Sequence, residues 1–275
     1  MLPFSTETND VIASKISDQT VLMADRYIST NQWDLIDYNI VITGTVGAGK
    51  STLCESLVHV LKCINPALPV ITYPEFLFIG DEGLSLKLLE KKIVGDVSMN
   101  TFQSYVLDNW EHIMTANQQH SHGIRIFERC IDDCVMCFAN IENKNANVSD
   151  IQLFSLYKKL KQLVKKFDIP TYLSCKPPRM NSHFTKIRSG DLNYNLQQVI
   201  SIIGSDILNG VKNRIIGLSV NAETSMDRMR SRARDGESGY STSQIEMYTN
   251  HYERLFQMLD SDERIKRFVD IGKLI

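Results

Sequence analysis

Short apolar runs alternate with longer amphipathic stretches from about residue 38 onward, a pattern that predicts strands and helices in alternation. The first run, Tyr38-Asn-Ile-Val-Ile-Thr43, is β-branched and followed at once by glycines, as expected of a buried parallel strand feeding a tight turn. Leu53, Leu57, Leu61 and Ile64 then recur at steps of three and four, so the turn opens a helix. Further strands are expected at residues 68–73, 123–127, 171–174, 214–220 and 267–270. Helical spacing recurs at 101–116, with Phe102, Tyr105, Val106 and Ile113 roughly on one side, and at 151–167, with Leu153, Leu156, Leu160, Leu163 and Phe167 between solvated lysines. A last helix carries Ile245, Tyr248, Tyr252 and Phe256.

Alternation of this kind predicts an α/β domain: a central parallel sheet of about five strands with helices on both faces. Residues 1–37 are mixed and polar and read as an N-terminal extension, partly helical at best. Residues 38–275 read as one domain, with an insertion-like segment at about 168–213. A chain of 275 residues can bury a sizeable core without disulfides or metals.

The formal charge is -2, from 30 basic and 32 acidic residues, which gives no reason to expect a nucleic acid polymer as partner. The six cysteines, at 54, 63, 130, 134, 137 and 175, lack the density of a secreted disulfide framework and read as reduced thiols of an intracellular, cytoplasmic protein. The first twenty residues lack a signal core and an Arg-rich transit pattern, and no apolar run approaches about 18 residues, so no membrane association is expected.

The chemistry concentrates first in residues 44–51, Gly-Thr-Val-Gly-Ala-Gly-Lys-Ser. Gly44, Gly49, Lys50 and Ser51 satisfy Gly-x4-Gly-Lys-Ser between a strand and a helix, the context in which this motif is a phosphate-binding P-loop. Backbone N–H groups of Thr45, Val46, Gly47, Ala48, Gly49 and Thr52 can turn toward an anion at the positive end of the helix. Lys50 reaches the β- and γ-phosphates and the Ser51 hydroxyl can ligate Mg²⁺. No Asn-Lys-x-Asp guanine-reading motif is present, which weighs against a GTPase. Two carboxylates fall at strand ends, in Pro74-Glu75 and Glu128-Arg129, and ligands bind at that edge of open parallel sheets. Arg228, Arg230, Arg232 and Arg234 run into a glycine-containing turn that can close over phosphates.

These segments resemble the deoxynucleoside kinases, the family that includes the deoxycytidine, deoxyguanosine and mitochondrial thymidine kinases. Glu128-Arg129-Cys130 is similar to the family's Glu-Arg-Ser, Phe102-Gln103-Ser104-Tyr105 to its Phe-Gln-x-Tyr, Pro74-Glu75 to its Pro-Glu, and residues 228–237 to its lid. The order matches over 38–130 and again over 214–275. The resemblance implies a P-loop kinase fold, ATP as phosphoryl donor, Mg²⁺, a deoxynucleoside acceptor phosphorylated at its 5′-hydroxyl, and, by analogy with relatives, a homodimer. It further implies Glu75 as the general base, Glu128 beside Ser51 on the metal, and Arg129 steadying Glu75 and phosphate. Gln103 and Asp133 would read the base and Glu237 would hold the 3′-hydroxyl, with Arg228, Arg232 and Arg234 on the donor phosphates. A nucleoside monophosphate kinase and a non-catalytic nucleotide-binding regulator are the alternatives on the same fold.

The departures are specific. Cys130 replaces the motif's Ser, Lys92 stands where many relatives have a sugar-binding Tyr, and Trp110 stands where the deoxycytidine kinases have a base-reading Arg, so a bulky ring is expected to reshape the base pocket. Lys186 and Arg188 make a second basic, lid-like turn, although the spacing around Arg228 and Glu237 favours the later one. Cys130, Cys134 and Cys137 have the spacing of an iron–sulfur or zinc site, but also that of one helix face, and buried thiols are the expectation.

Overall fold

The structure, a computed structural model, describes residues 9–28, 37–75, 82–117, 122–172, 184–232, 237 and 239–260. Five strands form one sheet in the order β2-β3-β1-β5-β4, with every neighbouring pair parallel. They are β1 (Asp37–Gly44), β2 (Val70–Tyr73), β3 (Gly123–Glu128), β4 (Phe184–Arg188) and β5 (Asn213–Ser219). β1 lies at the centre, with Ile42 opposite Glu128 of β3 and Gly44 opposite Leu218 of β5. That register brings the phosphate-binding turn, Glu75 and Glu128 to one edge, the C-terminal ends of the strands.

Both faces of the sheet are covered, as near-continuous apolar strands require. On one face Ile40, Ile42, Ile124, Ile126 and Ile216 pack with Leu53, Leu57 and Leu61 of α3 (Lys50–Ile64) and with Leu196, Val199, Ile200 and Ile203 of α8 (Leu192–Leu208). On the other, Val41, Phe127 and Ile215 pack with α5 (Met99–Ala116), α7 (Asp150–Phe167) and α10 (Thr242–Asp260). The helical expectations for 101–116 and 151–167 coincide with α5 and α7 to within two residues, and Ile245, Tyr248, Tyr252 and Phe256 all face the core from α10. The remaining helices are α1 (Asn9–Lys15), α2 (Asp18–Ile28), α4 (Glu82–Val94), α6 (Asn140–Lys144) and α9 (Ala222–Arg232), with a π-helical turn at Cys134–Ala139.

The edge strand departs from expectation. Residues 184–188 form β4, whereas Thr171 and Tyr172 are buried without joining the sheet and 173–174 lie outside the described residues. Phe184 packs on one face of the sheet and Ile187 on the other, while Lys186 projects toward Glu253 of α10 and donates to it at 2.6 Å. Lys186 and Arg188 are therefore strand residues and not a lid; basic side chains are what edge strands carry to discourage further pairing. The strand expected at 267–270 also lies outside the described residues. Within the N-terminal stretch, Ile12 and Ala24 are buried, and Thr20 is hydrogen-bonded to Asn193 and Gln197 of α8. Among the described residues no helix is long and apolar enough to cross a membrane.

One buried carboxyl tests the packing behind the sheet. Asp132 accepts the Tyr172 backbone N–H at 2.5 Å, and burial pushes its pKa up to about 7. Its folded pKa lies above the ordinary carboxylate value, so the native state keeps a proton that the unfolded chain releases, and stability falls as pH rises from about 4 to about 7. Asp132→Asn is expected to raise the melting temperature at pH 8 more than at pH 4.5, a difference of roughly 2–4 kcal/mol by linkage, followed by thermal denaturation across that range.

Candidate active site

β1 ends in Gly44, whose φ of 147° and close approach to β5 leave no room for a side chain: a Cβ there would lie 2.4 Å from the Leu218 carbonyl oxygen. Gly47 (φ 72°) is equally constrained, against the backbone of Ser225 in α9. The turn they shape leads into the first residues of α3, Lys50 and Ser51, so its N–H groups and the helix terminus converge on one cavity. Gly44→Ala must push β5 away from the turn. It is expected to lower nucleotide affinity about tenfold or more, read by titration with a fluorescent nucleotide.

The cavity holds about 650 Å³ and is lined by Val46, Gly47, Ala48, Gly49, Lys50, Ser51 and Thr52, together with Glu75 and Glu128. Its far wall comes from Ser189, Gly190, Leu192 and Asn195, between β4 and α8, and from Asp227, Arg228, Ser231 and Arg232 of α9. Lys50 is buried and donates to the Thr45 carbonyl oxygen at 3.0 Å. Burial, reinforced by Arg129, brings its pKa down to about 8. Glu128, 1% exposed, accepts the Ser51 hydroxyl on Oε1 at 2.6 Å while its Oε2 is buried without a partner. Burial, with Glu75 close by, pushes the Glu128 carboxyl up to about 7. Both shifts have one cause: the site holds charged groups away from water, as a pocket prepared for further ions does.

Arg129 follows β3 with φ 82°, a left-handed backbone that a non-glycine residue adopts at a cost of about 1–3 kcal/mol. The turn is held by its N–H donating to the Ile42 carbonyl oxygen at 2.8 Å, and it aims the side chain back at the site. Nε and Nη2 both donate to Oε1 of Glu75, at 2.9 and 2.7 Å, and Nη1 donates to the Tyr252 hydroxyl at 2.8 Å and the Gly44 carbonyl at 3.3 Å. The guanidinium also lies over the Phe138 ring, 5.2 Å from its centroid. Glu75 is thereby fixed where two cavities meet, since it lines both the phosphate cavity and a second one.

The second cavity is small, about 40 Å³, and is lined by Leu89, Lys92, Met99, Phe102, Gln103, Phe138, Glu237, Tyr240 and Tyr248, with Val46, Glu75 and Arg129 on the phosphate side. That volume holds a water molecule or two, so a nucleoside enters only as lining side chains shift. Gln103 is 3% exposed; its amide donates to the Met99 sulfur at 3.3 Å and its carbonyl oxygen is buried without a partner. Glu237 accepts from Arg232.

Most of the residues singled out in the sequence thus converge. The phosphate turn, Glu75, Glu128, Arg129, Gln103, Glu237, Arg228 and Arg232 surround the two connected cavities. Arg228 donates to Ser189 and to the Gly47 carbonyl, at 2.7 and 3.3 Å. Arg234 lies outside the described residues. Asp133 lines neither of the two cavities: it is buried behind Arg129, accepts from Thr43 at 2.7 Å and Tyr172 at 2.6 Å, and sits 3.8 Å from the guanidinium. Trp110 lines neither cavity; it is buried against Phe127, ring centroids 6.0 Å apart. Cys130, Cys134 and Cys137 are buried, and burial holds the Cys134 and Cys137 thiols well above their usual range. Sequence reasoning missed the cavity-lining roles of Phe102, Phe138 and Tyr248, because apolar and aromatic residues at helical spacing read equally well as core. Ser189 and Gly190 belong to the stretch that read as a second lid-like turn with Lys186 and Arg188, whereas Leu192 and Asn195 carry no motif and were missed.

The residues fit a Mg²⁺ ion. Ser51 and Glu128 offer oxygen donors, one of them unpartnered, and Mg²⁺ bound with nucleotide needs only one or two protein oxygens beside phosphates and water. Among the described residues, no group of three or more His, Cys, Asp or Glu is placed to hold a metal alone.

A central parallel sheet, a glycine turn feeding a helix N-terminus, and carboxylates at the adjoining strand ends define a P-loop kinase fold. The sequence profile of the deoxynucleoside kinases matches residues 40–197, more than half of the chain, and the protein belongs to that family. By membership it is a nucleoside kinase, a nucleotide-binding transferase. The matched stretch runs into the segment 168–213 that read as insertion-like, and stops before residues 214–275. Among solved structures, the chain is similar to a deoxyadenosine kinase from M. mycoides with bound dATP, at 15% identity and a TM-score of 0.47, covering 86% of this chain and 98% of that one. No curated protein sequence matches.

Proposed function

We propose that the protein transfers the γ-phosphoryl group of ATP to the 5′-hydroxyl of a deoxynucleoside. The observation that carries this reading is the position of Glu75: one carboxylate, oriented by two hydrogen bonds from Arg129, borders both the phosphate cavity and the cavity that Gln103 lines. A hydroxyl presented from the second cavity and a phosphoryl group presented from the first would meet beside this one carboxylate.

On this reading the P-loop N–H groups and Lys50 hold the β- and γ-phosphates, and Arg228 and Arg232 flank them from α9. Ser51 and Glu128 would hold Mg²⁺, which supplies charge neutralisation across the phosphates. Gln103 presents an amide donor and acceptor to the base, and Glu237 accepts from the sugar. Glu75 takes the proton of the 5′-hydroxyl as its oxygen bonds to the γ-phosphorus and the bond to ADP breaks. Asp133 acts at one remove, as the buried anion behind Arg129. Residues 38–275 work as one catalytic unit, with the N-terminal helices packed on its α8 side.

Thymidine and thymidine 5′-monophosphate offered side by side with ATP separate this reading from a monophosphate kinase. Transfer to the nucleoside, with ³¹P NMR locating the new phosphate on the 5′ oxygen, is the expected result. Transfer to the monophosphate alone would replace it.

A further inference from the structure

Ser189 is no part of the P-loop motif, yet it touches that loop. It follows the edge strand β4, where its own N–H donates to the Ser219 carbonyl oxygen at the end of β5, at 2.7 Å. From that anchor the half-buried side chain reaches the phosphate turn, 141 residues earlier in the chain. Its hydroxyl donates to the Ala48 carbonyl oxygen at 2.7 Å and accepts from Nη1 of Arg228, also at 2.7 Å. A serine hydroxyl has one proton to give, and here it is committed to Ala48. Accepting from a guanidinium polarises the hydroxyl and makes it the stronger donor. A Cβ built on Gly49 would lie 3.7 Å from both Ser189 Oγ and Arg228 Nη1, so the pair covers the last glycine of the turn.

We infer that Ser189 is a positioning residue of the donor site: by holding the Ala48–Gly49 peptide and Arg228 together, its hydroxyl sets the affinity for the phosphates of a nucleoside di- or triphosphate. The inference deepens the function proposed above and rests on it for the identity of the donor. A trans peptide carries its C=O and its N–H on opposite sides. A fixed Ala48 carbonyl therefore fixes the direction of the Gly49 N–H, one of the donors of the phosphate turn. Ala48 stands between Gly47 and Gly49, and glycine is the least restricted residue, so an outside hold has most to fix at this peptide. The two preceding carbonyls are held in the same manner, Val46 accepting from Ser225 and Gly47 from Arg228 Nη1 at 3.3 Å. Ser225 and Arg228 both come from α9, whereas Ser189 ties the turn to the sheet edge. A loop ordered before its ligand arrives loses less freedom on binding, and that difference appears as affinity. Arg228 lines the phosphate cavity beside this peptide, so one hydroxyl orients a backbone donor and a cation toward the same anion.

Equilibrium titration with a fluorescent ADP analogue reads the donor site without requiring transfer, with melting curves to verify that each variant folds. Ser189→Ala removes one hydroxyl and is expected to weaken binding of the analogue about tenfold. Ser189→Thr keeps the hydroxyl and is expected to bind as the wild type does, with Ser189→Cys, a weaker donor, between the two. In turnover, Ser189→Ala is expected to raise the KM for ATP about tenfold, while the KM for the acceptor, whose cavity Ser189 does not line, stays within about twofold. In an Arg228→Met background the same change is expected to cost less than in the wild type, because the two residues share a hydrogen bond. Unchanged binding of the analogue in Ser189→Ala overturns the inference. So does a loss that Ser189→Thr fails to restore, an equal rise in both KM values, or strictly additive losses with Arg228→Met. Should no acceptor be phosphorylated, the titration alone decides: a loss restored by threonine upholds the role of Ser189 in phosphate binding while the transfer reaction falls.

Discussion

Glu75→Gln is expected to lower kcat for phosphoryl transfer by about 10²- to 10⁴-fold while leaving the KM for ATP nearly unchanged. Glutamine keeps the size and one acceptor oxygen for Arg129, so the wall between the two cavities survives. What it loses is the ability to take a proton from the acceptor hydroxyl, and that loss falls on the transition state and not on donor binding. Isothermal titration with a non-hydrolysable ATP analogue checks the second half of the expectation. A variant that binds the analogue normally and still turns over at the wild-type rate would deny Glu75 its role as base.

Arg129→Met has the largest expected effect on stability, a loss of roughly 3–5 kcal/mol, because it removes one partner of a buried ionic network. The guanidinium, 4% exposed, answers Glu75 directly and Asp133 at 3.8 Å, and it also donates to Tyr252 and Gly44. Taking it away leaves two carboxylates with a common shortage of positive charge, and frees the Glu75 side chain from its bidentate clamp. Denaturant unfolding is expected to show the stability loss, and kcat is expected to fall at least as far as in Glu75→Gln. Arg129→Lys keeps the charge but not the fork, so it is expected to recover part of the stability and little of the rate. Equal rates in Arg129→Lys and the wild type would mean that the orientation of Glu75 does not matter.

The parts of this site that were legible in the sequence are those where backbone geometry or position along a strand dictates residue type. Gly44 and Gly47 sit where a Cβ would strike β5 or α9, so the P-loop pattern is written into the chain by steric necessity. Glu75, Glu128 and Arg129 follow strand ends, and the parallel register of β2, β3 and β1 gathers strand ends at one edge. The central strands were legible for a related reason: buried on both faces, they carry short, mostly apolar cores such as Ile40-Val-Ile42 and Ile215-Ile216.

What was not legible depends on tertiary neighbours. β4 is an edge strand with two of its five residues basic, so its pattern resembles a charged turn until Phe184 and Ile187 are seen to meet opposite faces of the sheet. Asp133 has the chain position of a base-reading residue, yet Thr43 and Tyr172 arrive from distant segments and occupy its oxygens. Trp110 likewise finds Phe127 and turns into the core. Lys92 announced itself only as a departure from relatives; its setting comes from Glu142, Tyr240 and Tyr248, all at least fifty residues away in sequence or on α10.

The central claim is that donor and acceptor meet at Glu75, and its most direct measurement is transfer of label from γ-labelled ATP to each of the four deoxynucleosides at saturating concentration. The account predicts a labelled 5′-monophosphate from at least one of them. No labelled product from any of the four, from protein that still binds ATP, would contradict it.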